Sequence, residues 1–462
     1  MKPMFDNYNY LQLKIGNTII FRSNILIIII CVMIAGSIFP AKAQQSWSIK
    51  KCIDHALLNN IELNHKYNQI KLHEINLLES KAKLLPDLNL GSVVDLNYGR
   101  NIDGNTNTIT YDKTLTNVFW ANSSINIFQG LVKYNTIRFN KYQLLAIKEE
   151  AVLKKNMLIM EILTSYYMVL YSQGLEDVAQ SQLELSRNQF ERMQKLVDIG
   201  KESPLTVQEL KSQWAADKLS LTYARNNASK SILQLKQLLR LNASQSFSID
   251  TTDMVLLINN QVPQVDSVFK TAVTFLPQIK QSEYLLIASK KELAIAKGGI
   301  SPRIYVSGGF NTGYFDGDTL SFKNQLTNNQ NQWVNMGIAI PIFNGATVHS
   351  RIKRKKIAVI DNQLKLEKQR EDLYIEIWNA IEELQFAESE YQSSIELHDF
   401  SKLTLHNITK KMEKGLAGTT DFEAAKQRFV YAEAALLKSK LIFIMRKQML
   451  TFYQTSNWEH LR

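Results

Sequence analysis

Seven histidines, at positions 55, 65, 73, 349, 398, 406 and 460, are the residues best suited to proton transfer or metal binding, and their spacing supports neither. No two lie four apart, and no HExxH is present, so no helix face offers paired imidazoles to zinc. A nucleophile elbow, a phosphate-cradling loop and a CxxC pair are all missing from the chain. Asp103, Asp112, Asp316 and Asp318 fall in polar segments but lack the ligand alternation of a calcium loop, so they read as solvated loop residues. The expectation is a protein that is not an enzyme and needs no cofactor or metal.

The 462-residue chain that holds these residues carries a formal charge of +11. Lys and Arg are interleaved with Glu and Gln along helix-forming stretches. They therefore read as solvated helix faces, and no nucleic-acid module is present. Lys2, Lys14 and Arg22 precede an apolar run from Ile25 to Phe39, followed by Ala41-Lys42-Ala43. This pattern predicts a signal peptide over residues 1–43, cleaved before Gln44, with an N-terminal membrane anchor as the alternative. Removal of the signal leaves +8 on the mature chain and Cys52 as its only thiol, so no intramolecular disulfide is expected. No later apolar stretch is long enough for a membrane helix; any crossing in the mature chain must be made by strands.

An internal repeat organises the rest. Leu85-Pro86-Asp87-Leu88-Asn89-Leu90 corresponds to Ser301-Pro302-Arg303-Ile304-Tyr305-Val306, and Ile127-Phe128-Gln129-Gly130 to Ile342-Phe343-Asn344-Gly345. Each copy continues into a long helical stretch broken at Gly200 or Gly415. Four landmarks in one order define a duplicated helix–β-hairpin–helix unit. The expected segments are a first repeat over 44–240, a connector over 241–263 and a second repeat over 264–462.

Four segments alternate with period two: about 87–98, 118–128, 303–314 and 333–343. Leu88, Leu90, Val94 and Leu96 share one face and Asp87, Asn89, Asp95 and Asn97 the other. The remaining three behave alike. Such strands suit an outer-membrane barrel, apolar toward lipid and polar toward water, or else a soluble sheet covered by helices. Tyr98, Trp120, Tyr314 and Trp333 read as girdle aromatics near the strand ends. Four strands are too few to close a barrel, so the chain must oligomerise to reach eight or twelve; a conduit favours twelve. The connecting segments 99–114 and 315–331 read as exposed outer loops.

Leu131–Ile199 and Thr347–Lys414 contain no proline. About 70 helical residues span roughly 100 Å, the length of a conduit across a compartment. Leu373, Ile377, Ala380, Leu384, Ala387 and Tyr391 step by four and three in alternation, the seam of a coiled coil, although an ordinary amphipathic pair would show the same spacing. At the breaks, Gly200 precedes Ser203 as N-cap and Pro204 at N1, followed by Leu205. Gly415, Gly418 and Thr419 form the second break, where Thr420 and Glu423 have capping-box spacing. These are two hairpin tips at the end opposite the strands.

The order of these features resembles the TolC-like outer-membrane efflux proteins over the whole expected mature chain, from Ser48-Ile49-Lys50-Lys51-Cys52 to the last helix. The resemblance implies a mainly α protein with a membrane β part. Long helices would form an α-barrel tunnel, and four strands per chain would join a homotrimeric twelve-stranded barrel. It implies a passive exit duct of a tripartite efflux or type I secretion system, in the outer membrane with its helices in the periplasm. Its partners would be outer-membrane lipid, a periplasmic adaptor bound at the hairpin tips, and an inner-membrane pump of the resistance–nodulation–division or ATP-binding-cassette type, with no nucleic acid. The family's entrance carries an acidic ring. Asp421 matches its first acidic position, Ala424 departs from the second, and Glu209 stands at the equivalent place in the first repeat. Asp421 also suits a second role, a charge favoured by its own helix dipole. A poreless exported scaffold or adhesin is the alternative for the whole chain.

Overall fold

A computed structural model describes residues 46–102, 107–111, 113–250, 263–455 and 458. The expected signal peptide, Asp103, Asp112, His460 and most of the expected connector lie outside these residues.

The first copy comprises helices α1 (Ile49–Asn59, 11 residues) and α2 (Ile61–Ala82, 22 residues), then strand β1 (Asp87–Asn97). A small ladder of β2 (Asn101–Ile102) and β3 (Ile109–Thr110) follows, then β4 (Thr114–Gln129). The copy ends with α3 (Val132–Asp198, 67 residues) and α4 (Pro204–Leu238, 35 residues). The second copy runs α5 (Val265–Phe275, 11 residues), α6 (Pro277–Gly298, 22 residues), β5 (Arg303–Phe315), α7 (Phe322–Asn328) and β6 (Asn331–Ala339). It closes with α8 (Thr347–Glu413, 67 residues) and α9 (Thr419–Thr455, 37 residues). Three of the four helix pairs match in length residue for residue, so the duplication extends through the helices as well as the landmarks.

Local chemistry sets the element boundaries. Asn60 ends α1 and its side chain accepts the Leu63 N–H at 2.9 Å, capping α2 and bending the chain between them. In the second copy Leu276 plays the hinge and Pro277 starts α6, where its missing N–H is harmless. Leu158 and Ile162 of α3 are buried at places that match Leu373 and Ile377 of α8. Each pair anchors an apolar cluster: one gathers α1, α3, α4 and Ile249, the other α5, α8 and α9. The expected seam is buried through Ala380, Leu384 and Ala387, and Tyr391 stacks on Phe443 at 5.9 Å.

The four main strands make one antiparallel sheet in the order β1-β4-β5-β6, which leaves β1 and β6 as free edges. Its apolar face is uncovered: Leu88, Leu90, Val334 and Met336 are 70–80% exposed. A sheet packed under helices would bury that face, so the covered-sheet alternative fails. No helix among the described residues is long and apolar enough to cross a membrane.

Three sequence expectations are corrected. The fourth strand stops at Ala339 rather than 343, because Pro341 has no N–H for the ladder and β5 begins opposite Ala339. The second outer loop contains α7. There Gln325 is fully buried, its amide donating to the Phe315 and Leu320 carbonyls at 3.0 and 2.9 Å and accepting the Phe315 N–H at 2.8 Å. Asp316 and Asp318 accept the Leu115 and Leu320 N–H groups at 2.9 and 3.0 Å, so both serve as backbone caps. Finally, Trp120 and Trp333 are not lipid-side girdle residues. The register puts Trp120 on the polar face with Gly91 and Asn311, and Trp333 on that same face opposite Gly309.

Candidate functional site: the hairpin tips

Both tips turn in the same way. Gly200 and Gly415 adopt φ of +75° and +71°, the left-handed conformation that lets a helix end abruptly. The Lys201 N–H reaches back to the Leu196 carbonyl at 2.8 Å, and the Leu416 N–H to the Lys411 carbonyl at 2.8 Å. In the first tip Ser203 accepts the Leu205 N–H at 3.2 Å, with Pro204 in the first turn. In the second, Asp421 accepts the Gly418 N–H at 3.2 Å. The capping contact is thus Gly418–Asp421, two residues before the expected Thr420–Glu423 pair.

Ties then join one tip to the other. Thr419 donates to Glu209 Oε2 at 3.0 Å, linking the start of α9 to α4. Arg192 of α3 meets Glu413 at the end of α8 at 2.7 Å. Met193, Val207 and Leu210 form a small buried apolar cluster that Met412 packs against. Ile199, Leu205 and Leu416 lie exposed around it. The structure therefore brings Glu209, Thr419 and Gly418–Asp421 into one neighbourhood, while Asp421 itself contacts its own helix start.

A buried ionic cluster lies outside the sequence expectations. Lys426 of α9 is fully buried and donates to Asp217 Oδ2 of α4 at 2.7 Å and to Ser186 Oγ of α3 at 2.6 Å. Ser186 also bonds Asp217, whose other oxygen accepts from Gln182 at 2.9 Å and Gln213 at 3.1 Å. Glu423 Oε2 stands 3.1 Å from the same ammonium, and burial pushes its carboxyl above the usual range. The signal was present: Asp217 continues the series Val207, Leu210, Trp214, and Lys426 falls four after Phe422. Each is a charge placed at a seam position.

Two very long helical hairpins bearing an uncovered amphipathic sheet define an outer-membrane channel architecture. Residues 52–239 match the outer membrane efflux protein family. No curated protein sequence matches the chain. Among solved structures, CusC superposes with a TM-score of 0.77 at 15% identity, covering 90% of this chain and 95% of that one. VceC of Vibrio cholerae gives 0.76 at 14%, covering 88% and 95%. The CmeC outer membrane channel of Campylobacter jejuni gives 0.75 at 14%, covering 86% and 84%. That family match covers less than half of the chain, while the TolC-like fold of the solved channels extends along its length. That family is one of channels, not enzymes.

Proposed function

We propose that the protein is the outer-membrane exit duct of a tripartite efflux or type I secretion system, a homotrimer with its sheet in the outer membrane and its helices in the periplasm. A periplasmic adaptor would bind at the hairpin tips and deliver cargo from an inner-membrane pump of the resistance–nodulation–division or ATP-binding-cassette type. The duct itself is passive.

The observation that carries this reading is the relation between the repeats and the free edges. β4 of the first copy pairs with β5 of the second inside one chain. Because β6 is the repeat counterpart of β4, and β1 of β5, the same pairing applied to the free edges joins β6 of one chain to β1 of the next. That contact is head-to-tail, so it propagates around a ring and removes every open edge. The helices tell the same story. Leu72, Ile75 and Leu78 of α2 and Ile357, Ile360 and Leu364 of α8 are exposed at 58–66%, on the helices that the repeat relation would bring together between chains. Three chains would give twelve strands, enough for an open lumen.

The test is geometric. Asn122 lies opposite Gly309; the repeat relation transfers this pair to Gly337 of one chain and Val93 of its neighbour. A Gly337→Cys, Val93→Cys variant purified from outer membranes should oxidise to a covalent trimer that conducts ions in planar bilayers. A mature chain that stays soluble and monomeric without detergent would reject the duct and favour an exported scaffold.

A further inference from the structure

On the polar face of the sheet, two adjacent rows run straight across all four strands. One reads Gly91, Trp120, Asn311 and Asn331. The next reads Asn89, Asn122, Gly309 and Trp333. These eight positions hold two glycines, two tryptophans, four asparagines and no charge. Each hairpin contributes one glycine on its first strand directly opposite one tryptophan on its second. The feature therefore recurs with the internal repeat, displaced by one row.

The tryptophans lie over the glycines. A methyl group added at Gly91 would overlap Cζ2 and Cε2 of Trp120, and one at Gly309 would fall 2.7 and 2.8 Å from Cε2 and Cζ2 of Trp333. An indole that occupies the space of a missing side chain rests one face on the sheet and turns the other outward. Covering a glycine stabilises a sheet by itself. That role leaves the amide surroundings unexplained.

We infer that these rows form a collar in the lumen that holds the sugar rings of saccharide or glycosylated cargo; this rests on the polar face lining the trimeric barrel proposed above. An indole face stacks on the apolar C–H face of a pyranose ring, and neighbouring amides both donate to and accept from its hydroxyls. The neutrality of both rows suits an uncharged ring. A planar aromatic cation would draw on the same indole faces but prefers a free carboxylate nearby; Asp87, one row beyond Asn89, is already engaged by Asn89 and by the Ser124 N–H and hydroxyl.

The mature trimer in planar bilayers, with maltohexaose added on the side of the outer loops, gives a direct test. Transient current blockades are expected. Trp120→Ala with Trp333→Ala should shorten them at least tenfold while the unblocked current persists. Asn311→Leu, which keeps both rings, should shorten them several-fold. Quenching of tryptophan fluorescence by maltohexaose in the detergent-solubilised trimer, lost in the double variant, provides a second readout that needs no current. A conducting trimer without blockade or quenching overturns the collar and leaves the duct standing. So does blockade unchanged in the double variant, or blockade by N-methylacridinium alone. A trimer that neither assembles nor conducts overturns the duct and the collar with it.

Discussion

Lys426 and Asp217, 209 residues apart in sequence, meet at 2.7 Å with side-chain exposures of 0% and 3%. This pair fastens the second helical hairpin to the first near their tips. Removing one partner leaves a buried charge uncompensated, at a cost of about 3–5 kcal/mol, whereas apolar replacement of both is close to neutral. Lys426→Met alone should therefore lower the thermal stability of the tip region and speed amide exchange in α4 and α9. Lys426→Met with Asp217→Leu should restore both. Equal destabilisation by the single and double variants would show that the pair does not act as a unit.

Glu423 carries a pH signature of the same cluster. Burial raises its carboxyl pKa, Lys426 lowers it by less, and Asp217 adds a further rise. The folded state thus binds the proton more tightly than the unfolded chain. Its contribution is most favourable at low pH and is lost as pH climbs from the unfolded value through the raised folded one. Glu423→Gln removes that penalty. Thermal melts should show the variant more stable than the parent at pH 7.5, with the gap closing toward pH 4.5. A gap of the same size at both pH values would exclude titration of Glu423 as its source.

Much of this architecture is written in the chain. The expected helices over 131–199 and 347–414 form as Val132–Asp198 and Thr347–Glu413, because no proline interrupts them and glycine ends each one. The strand faces follow from period two. That same parity, carried through Trp120 to Asn122 and Ser124, already puts Trp120 on the polar face; nearness to a strand end was the weaker guide. Helix α7 has only seven residues, too short to nucleate by its own propensity, and exists because buried Gln325 ties it to the strand. Lys426 and Asp217 are charged residues on helices, where charge ordinarily faces solvent. Their seam spacing was visible, but their mutual contact depends on how two distant hairpins pack.

Asp421 separates two roles that its position allows. Its carboxylate accepts the Gly418 N–H and sits in the first turn of α9, where the helix dipole favours a negative charge. Asp421→Ala should fray that turn, and because Thr419 holds Glu209 from the same turn, it should also loosen the link between tips. Single-channel conductance is expected to rise, and Thr419→Val, which cuts only the link, should raise it as well. Conductance unchanged in both variants would restrict Asp421 to capping its own helix.

Leu205 and Leu416 are 67% and 72% exposed beside left-handed glycines, at the end of the molecule farthest from the sheet. Apolar side chains held out on tight turns bury little within the chain, so they are free to enter grooves on a partner and to contribute about 1.5–3 kcal/mol each when fully covered. Leu205→Asp and Leu416→Asp should leave the trimer and its barrel intact, yet abolish copurification of the periplasmic adaptor proposed above. Gly415→Ala acts differently. It strains the turn by about 1–2 kcal/mol without removing an apolar contact, so it should weaken capture only through displacement of Leu416. Full adaptor binding by both aspartate variants would place the docking surface elsewhere on the helical barrel.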